Sequence, residues 1–261
     1  MPTRKILIAL AFMPIVLGGC ASAPTGAGGA VERERSGGAD GAGRAEVKAY
    51  APEIRVNFNK TANDWVGGHS DYTSDTQPID VVIKPRRLPG MFGGYGLYTA
   101  GTNRSDDLFI YIKKKFTGFA PNRDYLLTFS VTFLTDAPTG CVGVGGAPGE
   151  SVYLKAGAAP VEPLTAAVDT EYRMNIDKGN QARGGKNAVM LGDIAGTNTD
   201  CNRPRFEWKT LANDAPLNAR TDATGTLWVM FGIDSGFEDA SEIYYRSATI
   251  SVSPHASAER K

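Results

Sequence analysis

The alternation of apolar and polar positions predicts β-strands along most of the chain after residue 47. In the longest case, residues 125–135, every second position is apolar and the positions between are mainly Thr and Ser. A period of two over that length indicates a strand with one buried face. Residues 227–233 are apolar at almost every position, which is typical of a strand in the centre of a sheet.

Shorter strands are predicted on both sides of these two. Alternating segments begin at Ile54 and Leu108, and less regular candidates lie at residues 81–84, 152–156, 171–176, 188–191 and 205–209. Near the end of the chain the apolar phase changes, which predicts a β-bulge around Arg246 and Ser247. Gly and Pro separate the segments, and no long window follows a helical period. We therefore expect an all-β protein, an antiparallel two-sheet sandwich of the jelly-roll type.

The first residues have the pattern of an export signal. Arg4 and Lys5 precede an apolar run at residues 6–17, which is shorter than the roughly 20 residues that a membrane-spanning helix needs. The run ends in Leu-Gly-Gly-Cys at residues 17–20, which resembles the lipobox of bacterial lipoproteins. That resemblance implies removal of residues 1–19 and acylation of Cys20. An ordinary signal peptide cleaved near residues 21–23 is the alternative.

The lipobox resemblance also implies a location in the cell envelope. Acyl chains on one cysteine hold a soluble domain at a membrane without a spanning helix. Ala21 follows the cysteine, and this resembles the outer-membrane sorting class if the host is Gram-negative. Residues 20–45 are rich in Gly and Ala and predict a flexible tether. The folded domain is then expected at residues 46–254, with a polar tail at 255–261.

Charge argues against a nucleic-acid partner, and cysteine content predicts a disulfide. Cleavage before Cys20 removes Arg4 and Lys5 from the 28 basic residues and none of the 28 acidic residues, which leaves a net charge of −2. Without a clustered basic stripe, we expect no nucleic-acid partner. Cys141 and Cys201 form an even pair in an oxidising compartment, which predicts a disulfide. A metal site is the alternative, but neither cysteine has a Cys or His at ligand spacing.

Two groups of segments resemble known families. Residues 117–122 read Thr-Gly-Phe-Ala-Pro-Asn and lead into the strand at 125–131, and a Tyr-rich strand follows at 243–252. Together they look like the galactose-binding-like jelly rolls of carbohydrate-binding modules, which implies a fold used for glycan binding. Residues 143–157, followed by 177–181, resemble a family of bacterial envelope lipoproteins, and that likeness implies no chemistry.

Aromatic residues in predicted loops are the candidates for ligand binding. Trp65, His69 and Tyr72 lie in one Gly/Asp/Ser-rich loop, and Tyr95 and Tyr98 lie in another. A flat ring stacks on the apolar face of a sugar, so exposed rings at Trp65, Tyr72 or Tyr95 would form a platform, with His69 beside it. The alternative for Trp65 is packing over the end of the sandwich.

An acidic turn is the candidate cation site. Asp234, Glu238 and Asp239 are carboxylates within six residues, and Ca²⁺ prefers oxygen ligands of this kind. A structural Ca²⁺ is therefore the one cofactor that the sequence suggests. A solvated turn without a metal is the alternative reading of the same residues.

Catalytic signals are few. The chain has two histidines, and no Gly-x-Ser-x-Gly elbow or His/Cys cluster at ligand spacing. We therefore expect a non-catalytic protein, with a membrane-anchored domain that binds glycans. One alternative is a structural or assembly lipoprotein that contacts other envelope proteins. Another is a hydrolase, because the separation of two catalytic acids cannot be read from sequence.

Overall fold

Fifteen β-strands form the part of the chain that the structure describes. The computed structural model describes residues 52–59 and 61–255, so Cys20, the predicted signal and tether, and tail residues 256–261 lie outside the described residues. The strands are β1 Glu53–Asn57, β2 Val66–Ser70, β3 Tyr72–Thr73, β4 Ile79–Arg87, β5 Tyr95–Thr102, β6 Leu108–Phe116, β7 Asp124–Thr135, β8 Val152–Ala159, β9 Thr165–Val168, β10 Glu171–Met174, β11 Ala188–Asp193, β12 Glu207–Ala212, β13 Leu217–Arg220, β14 Leu227–Ser235 and β15 Ala240–Pro254. Within these residues no helix is long and apolar enough to cross a membrane.

The strands form two large antiparallel sheets and one small one. Sheet A has the order β12-β7-β15-β5-β4, with β1 paired to β15 and β13 paired to β7. Sheet B has the order β11-β8-β14-β6-β2, and a third sheet has the order β3-β10-β9. Every strand pair is antiparallel.

The order of the strands is that of a jelly roll. The chain places β5 in sheet A, β6 in sheet B, β7 in sheet A and β8 with β11 in sheet B. It returns through β12 and β13 to sheet A, then β14 to sheet B and β15 to sheet A. The last two strands therefore insert into the middle of the sheets that the earlier strands began, which is the double Greek key of a jelly roll. The predicted fold class is confirmed.

The hydrophobic core lies between the two large sheets. On β7, alternate residues from Tyr125 to Phe133 are buried, as the period of two predicts. On β14, Leu227 to Ser235 are buried except Trp228, because β6 and β8 flank this strand on both sides. The inward side chains of both strands belong to one cluster that also includes Phe58 and Tyr245.

The predicted β-bulge in the last strand is confirmed. The register between β15 and β7 shifts between Tyr245 and Ser247. Arg246 is the extra residue, and its guanidinium donates to the backbone carbonyl of Tyr95 over 2.8 Å. The bulge lets Tyr245 and Ala248 both face the core, which explains the change of apolar phase in the sequence.

Five strands were not predicted, namely β2, β3, β5, β9 and β13. Glycine weakens the apolar alternation in β2 and β5, two of the three that belong to the large sheets. A Cβ on Gly101 of β5 would lie 2.7 Å from the Ile110 side chain, and one on Gly68 of β2 would lie 2.5 Å from the Tyr111 hydroxyl. These glycines are needed because side chains from neighbouring strands fill the space above them.

A second apolar layer covers the outer face of sheet B. Phe109, Tyr111 and Met230 point away from the main core and pack with Ile176 and Ala188. Residues 160–187, which include β9 and β10, supply part of this cover. The central strands of sheet B are therefore buried on both faces, whereas the outer face of sheet A carries a cleft.

Candidate functional site

A cleft lies on the outer face of sheet A. Its volume is about 730 Å³, and β4, β5 and the start of β15 form its floor. Residues 136–142, 201–204 and 237–239 contribute to its wall. Ligand sites for small molecules are concave and of this size, with a few polar groups among apolar ones.

The predicted disulfide joins two segments of the cleft wall. Cys141 and Cys201 are bonded with an S–S distance of 2.04 Å and a Cα–Cα distance of 5.8 Å, which confirms the pairing. Both cysteines line the cleft. The bond holds two irregular segments together at one edge of the sheet. It therefore fixes the position of a wall that has no strand of its own.

A row of five side chains runs across sheet A, from the strands of the cleft floor to the edge strand β12. Directly paired residues in antiparallel strands point to the same face of the sheet. The registers pair successive members of the row, which are Lys84, Tyr98, Tyr244, Leu134 and Trp208. Trp208 is 44% exposed and contacts Phe92 edge to face, with ring centroids 5.6 Å apart. The row provides an apolar, largely aromatic stripe across sheet A.

Tyr98 is held by three polar or aromatic contacts. Its hydroxyl donates to the Glu242 carboxylate, its ring centroid lies 4.6 Å from that of Tyr244, and the Arg86 guanidinium lies 4.2 Å above its ring. Burial and the bond to Glu242 raise the pKa of Tyr98 above its ordinary value. Tyr98 therefore remains a neutral hydrogen-bonding group in the floor of the cleft.

Two carboxylates lie close together at the cleft. Leu134 and Tyr244 are partners in antiparallel strands. Asp136, two positions after Leu134, therefore comes next to Glu242, two positions before Tyr244, on the same side of the sheet. Burial, together with the charge of Glu242, raises the pKa of Asp136 to about 6. The two groups share a partly desolvated site, in which the charged form of Asp136 is disfavoured.

A second cluster of charged side chains lies under the cover of sheet B, with Arg173 at its partly exposed edge. It consists of Asp71, Asp107, Lys155, Arg173, Lys178 and Asp234, which we call the charge cluster. Oδ2 of Asp234 lies 2.9 Å from the Lys155 ammonium and 2.8 Å from that of Lys178. The side chains of Asp234 and Lys155 are both fully buried. Isolated charges at such depth would be very costly, so the pairing is what makes them tolerable.

The remaining members of the charge cluster are paired in the same way. Lys178 lies 2.7 Å from Asp71, and Arg173 lies 2.8 Å from Asp107. Three carboxylates thus meet three cationic side chains. Burial and the neighbouring carboxylates nevertheless raise the pKa of Asp107 to about 6.

The calcium ligands predicted from the sequence do not form one site. The three carboxylates close enough together to share a cation, in the described part of the chain, are Asp71, Asp107 and Asp234. Glu238 and Asp239 are exposed and are not in this group. The prediction failed because Asp234 lies within the central strand β14, one residue before its end, with its side chain on the covered face. Lysine ammonium groups also occupy positions beside this carboxylate that a metal would need.

Trp65 is not exposed, contrary to the expected platform. It is 5% exposed and stacks on Phe231, with ring centroids 5.1 Å apart. Phe58 meets it edge to face at 5.7 Å. Trp65 is therefore part of the core at the end of the sandwich, which is the alternative that the sequence left open.

The other candidate aromatic residues lie in strands rather than loops, and they do not form one platform. His69 in β2 and Tyr72 in β3 stack at 5.2 Å, and Tyr72 stacks on Tyr172 at 4.7 Å. Burial lowers the pKa of His69, so this ring is neutral at pH 7. Tyr95 and Tyr98 belong to β5 in the other large sheet, where Tyr95 is 45% exposed. A ligand-binding role for His69, Tyr72 and Tyr95 stays a prediction.

The sequence pattern did not reveal the residues of the cleft as a group. Arg86, Tyr98, Asp136 and Glu242 are spread over more than 150 positions, and only the strand order brings them together. A signal was present at Glu242, an acidic residue directly before the first predicted core position of the last strand, Ile243. It could not be interpreted before the opposite strand was known.

The fold and the cleft define a jelly-roll domain with a polar and aromatic cleft on one sheet. No protein-family model matches the chain, and no curated protein sequence matches it. Among solved structures, it is similar to the CBM22-1–GH10 modules of a Clostridium thermocellum xylanase, with 12% identity and a TM-score of 0.38 over 76% of this chain and 28% of that one. It is also similar to the mannan-recognising carbohydrate-binding module TmCBM27, with 11% identity and a TM-score of 0.37 over 77% and 98% of the two chains. A third similar structure is a Lys-gingipain adhesin domain from Porphyromonas gingivalis W83, with 14% identity and a TM-score of 0.33 over 76% of this chain and 96% of that one.

Proposed function

We propose that this domain binds glycans in the cleft of sheet A without catalysing a reaction on them. Sugars present apolar C–H faces and many hydroxyl groups, so a site for them needs aromatic rings beside hydrogen-bonding side chains. The observation that carries the proposal is the combination of Tyr98, Arg86 and Glu242 in one concave surface, with the rings of Tyr244 and Trp208 further along the same row. The direction of the row, across the strands, would suit an extended chain.

The row and the cleft would contribute different contacts to a bound glycan. The exposed ring of Trp208 offers a stacking surface, since its only ring contact that the structure describes is the edge-to-face contact with Phe92. Glu242 and Asp136 would accept hydrogen bonds from sugar hydroxyls, and Arg86 would donate them. The disulfide-linked wall would keep the cleft shape in the free protein, so little ordering would be needed on binding.

Affinity electrophoresis and calorimetry with a panel of polysaccharides and hexasaccharides would test this function. Trp208→Ala and Glu242→Gln should each weaken binding of the best ligand at least tenfold, which corresponds to about 1.4 kcal/mol. Tyr72→Ala is the matched control, because Tyr72 is an aromatic residue of the other candidate surface. If no glycan binds to the folded protein, or if only Tyr72→Ala reduces affinity, the cleft is not the glycan site.

We further propose that Cys20 anchors the chain to a membrane of the cell envelope, the outer membrane in a Gram-negative host. The support is the run of charge, apolar residues, Gly-Gly and cysteine at residues 4–20. Metabolic labelling with a fatty-acid analogue should mark the protein, and Cys20→Ala should abolish the label and release the chain from membranes. Labelling that persists in the variant would contradict the anchor. Cross-linking in cells would show whether an envelope protein, rather than a glycan, is the principal partner.

A further inference from the structure

The cleft of sheet A carries an excess of negative charge. Its lining includes four carboxylates, Asp80, Asp136, Asp239 and Glu242, and one cationic side chain, Arg86. With all five ionised, the lining has a net charge of −3. A concave wall of one sign concentrates the field on whatever enters the cleft.

These carboxylates are not neutralised by the protein itself. In the described ranges none of the four forms an ion pair, whereas all three carboxylates of the charge cluster do. The Arg86 guanidinium is placed over the Tyr98 ring. The acids of the charge cluster thus have cationic partners, whereas the described acids of the cleft have none, although Glu242 accepts a hydrogen bond from the Tyr98 hydroxyl and Asp239 accepts one from the Ala240 amide.

A buried hydroxyl adds a second polar feature to the cleft. Ser241 belongs to the lining and is 6% exposed, and its Oγ has no hydrogen-bond partner in the part of the chain that is described. Its side chain lies on the opposite side of the sheet from that of Glu242, because adjacent residues of a strand alternate between faces. The cleft reaches this inner side, where the core residue Ile194 also belongs to the lining. An unpaired buried hydroxyl costs free energy until a partner arrives, so this position favours a ligand with hydrogen-bonding groups.

We propose that the cleft selects glycans with free amino groups over neutral or acidic glycans of the same linkage. This inference rests on the glycan-binding function proposed above. An ammonium group on the sugar would lie between the Asp136 and Glu242 carboxylates and relieve their mutual repulsion, and charge-assisted hydrogen bonds of this kind are the strong ones. A uronate or sulfated sugar would meet the same carboxylates with a like charge, which disfavours it.

Three β-1,4-linked hexasaccharides that differ only at C2 would test the selectivity. These are the hexamers of glucose, N-acetylglucosamine and glucosamine, measured by calorimetry with the full chain at pH 7, low salt and with EDTA. The glucosamine hexamer should bind at least tenfold more tightly than the glucose hexamer. Asp136→Asn and Glu242→Gln should each reduce that preference below threefold. Asp64→Asn removes the same charge from an exposed site outside the cleft and should leave the preference unchanged.

The other outcomes separate this inference from the function on which it rests. Equal affinities for the three hexamers, or tighter binding of the glucose hexamer, would overturn the selectivity and leave glycan binding intact. If none of the three and no member of the wider panel binds, the proposed function itself is wrong. A hexalysine peptide that binds as tightly as the glucosamine hexamer would overturn the assignment to glycans. Loss of the preference in Asp64→Asn would show general attraction rather than a site in the cleft.

Discussion

Asp136 shows how one side chain in the cleft makes stability depend on pH, and in the proposed function it would also contact the ligand. Burial and Glu242 raise its pKa from the ordinary 3.8 to about 6, so the folded protein holds this proton more tightly than the unfolded chain. The resulting stabilisation is complete below the unfolded pKa and is lost as the pH rises through 6. At pH 7 the folded state keeps a partly desolvated carboxylate, which a ligand cation would compensate.

Asp136→Asn should therefore stabilise the protein at neutral pH but not at acid pH. Since Asn imitates the protonated acid, we expect a gain of about 1 kcal/mol at pH 7, after allowance for partial solvent exposure, and no difference near pH 4. Urea unfolding at the two pH values measures this. Asp64→Asn, at an exposed carboxylate, should show no such dependence. An Asp136→Asn variant that is less stable than wild type at pH 7 would contradict the assignment.

Trp65 and Tyr95 illustrate what a sequence can say about a single aromatic residue. Trp65→Ala should destabilise the fold by about 3–5 kcal/mol, because the ring is packed between Phe58 and Phe231. Tyr95→Ala should cost less than about 1 kcal/mol, because its side chain is 45% exposed. Chemical denaturation of the two variants checks the contrast, and similar losses would show that Trp65 is not a core residue. Residue type alone placed both rings in a ligand-binding platform. It could not distinguish the buried ring from the exposed one, because burial depends on strands that are distant in sequence.

At the scale of the elements, prediction succeeded where side chains alternate and failed where the backbone itself makes the contact. β7 and the bulge of β15 followed from apolar spacing, because each inward residue must be apolar. β2 and β5 contain glycines whose Cβ positions are filled by Ile110 and Tyr111 from β6. Their sequences read as loops because the partners that require glycine lie on another strand. The cleft could not be predicted for a related reason, as it depends on sheet order.

The charge cluster gives a stability prediction for the joint between sheet B and its cover. Lys155→Met removes a cation from the fully buried Asp234, and we expect a loss of about 3–5 kcal/mol because a carboxylate is left without one of its partners. Lys209→Met is the matched control, since Lys209 and Asp193 form a partly exposed pair worth at most about 1 kcal/mol. Thermal and urea unfolding of the two variants would measure this. Equal losses would show that burial of the cluster does not govern its energy.

The disulfide is the element that connects stability to the cleft. Replacement of Cys141 and Cys201 together by Ser should lower the free energy of unfolding by about 2–4 kcal/mol, because a loop of 60 residues is no longer closed in the unfolded chain. Glycan affinity should fall as well, because the two wall segments would have to order on binding. Calorimetry below the unfolding transition separates the two effects. Unchanged affinity would mean that the wall is held by its other contacts.

At the scale of the whole molecule, the proposed glycan-binding domain and the proposed anchor use separate parts of the chain. All fifteen strands of the described residues lie between Glu53 and Pro254, and the run that resembles a lipobox ends at Cys20. We therefore expect a chain that begins at Glu46 to unfold within about 3 °C of the full chain, a difference of about 1 kcal/mol at this size, and to bind glycans with the same affinity. A larger drop in either quantity would show that residues before Glu46 contribute to the fold or the cleft.

Retention of a polymer at a surface should nevertheless depend on the anchor. Many lipid-anchored copies on one vesicle can engage one glycan chain together, and this raises the effective concentration of every site after the first. Vesicles that carry the acylated chain should retain a polymeric ligand at least a hundredfold better than the single-site affinity implies, whereas the Cys20→Ala chain should follow that affinity. Glu242→Gln on the same vesicles is the control, because it keeps the anchor and weakens each site. If that variant retains the polymer as well as wild type, retention comes from the lipid surface and not from the cleft.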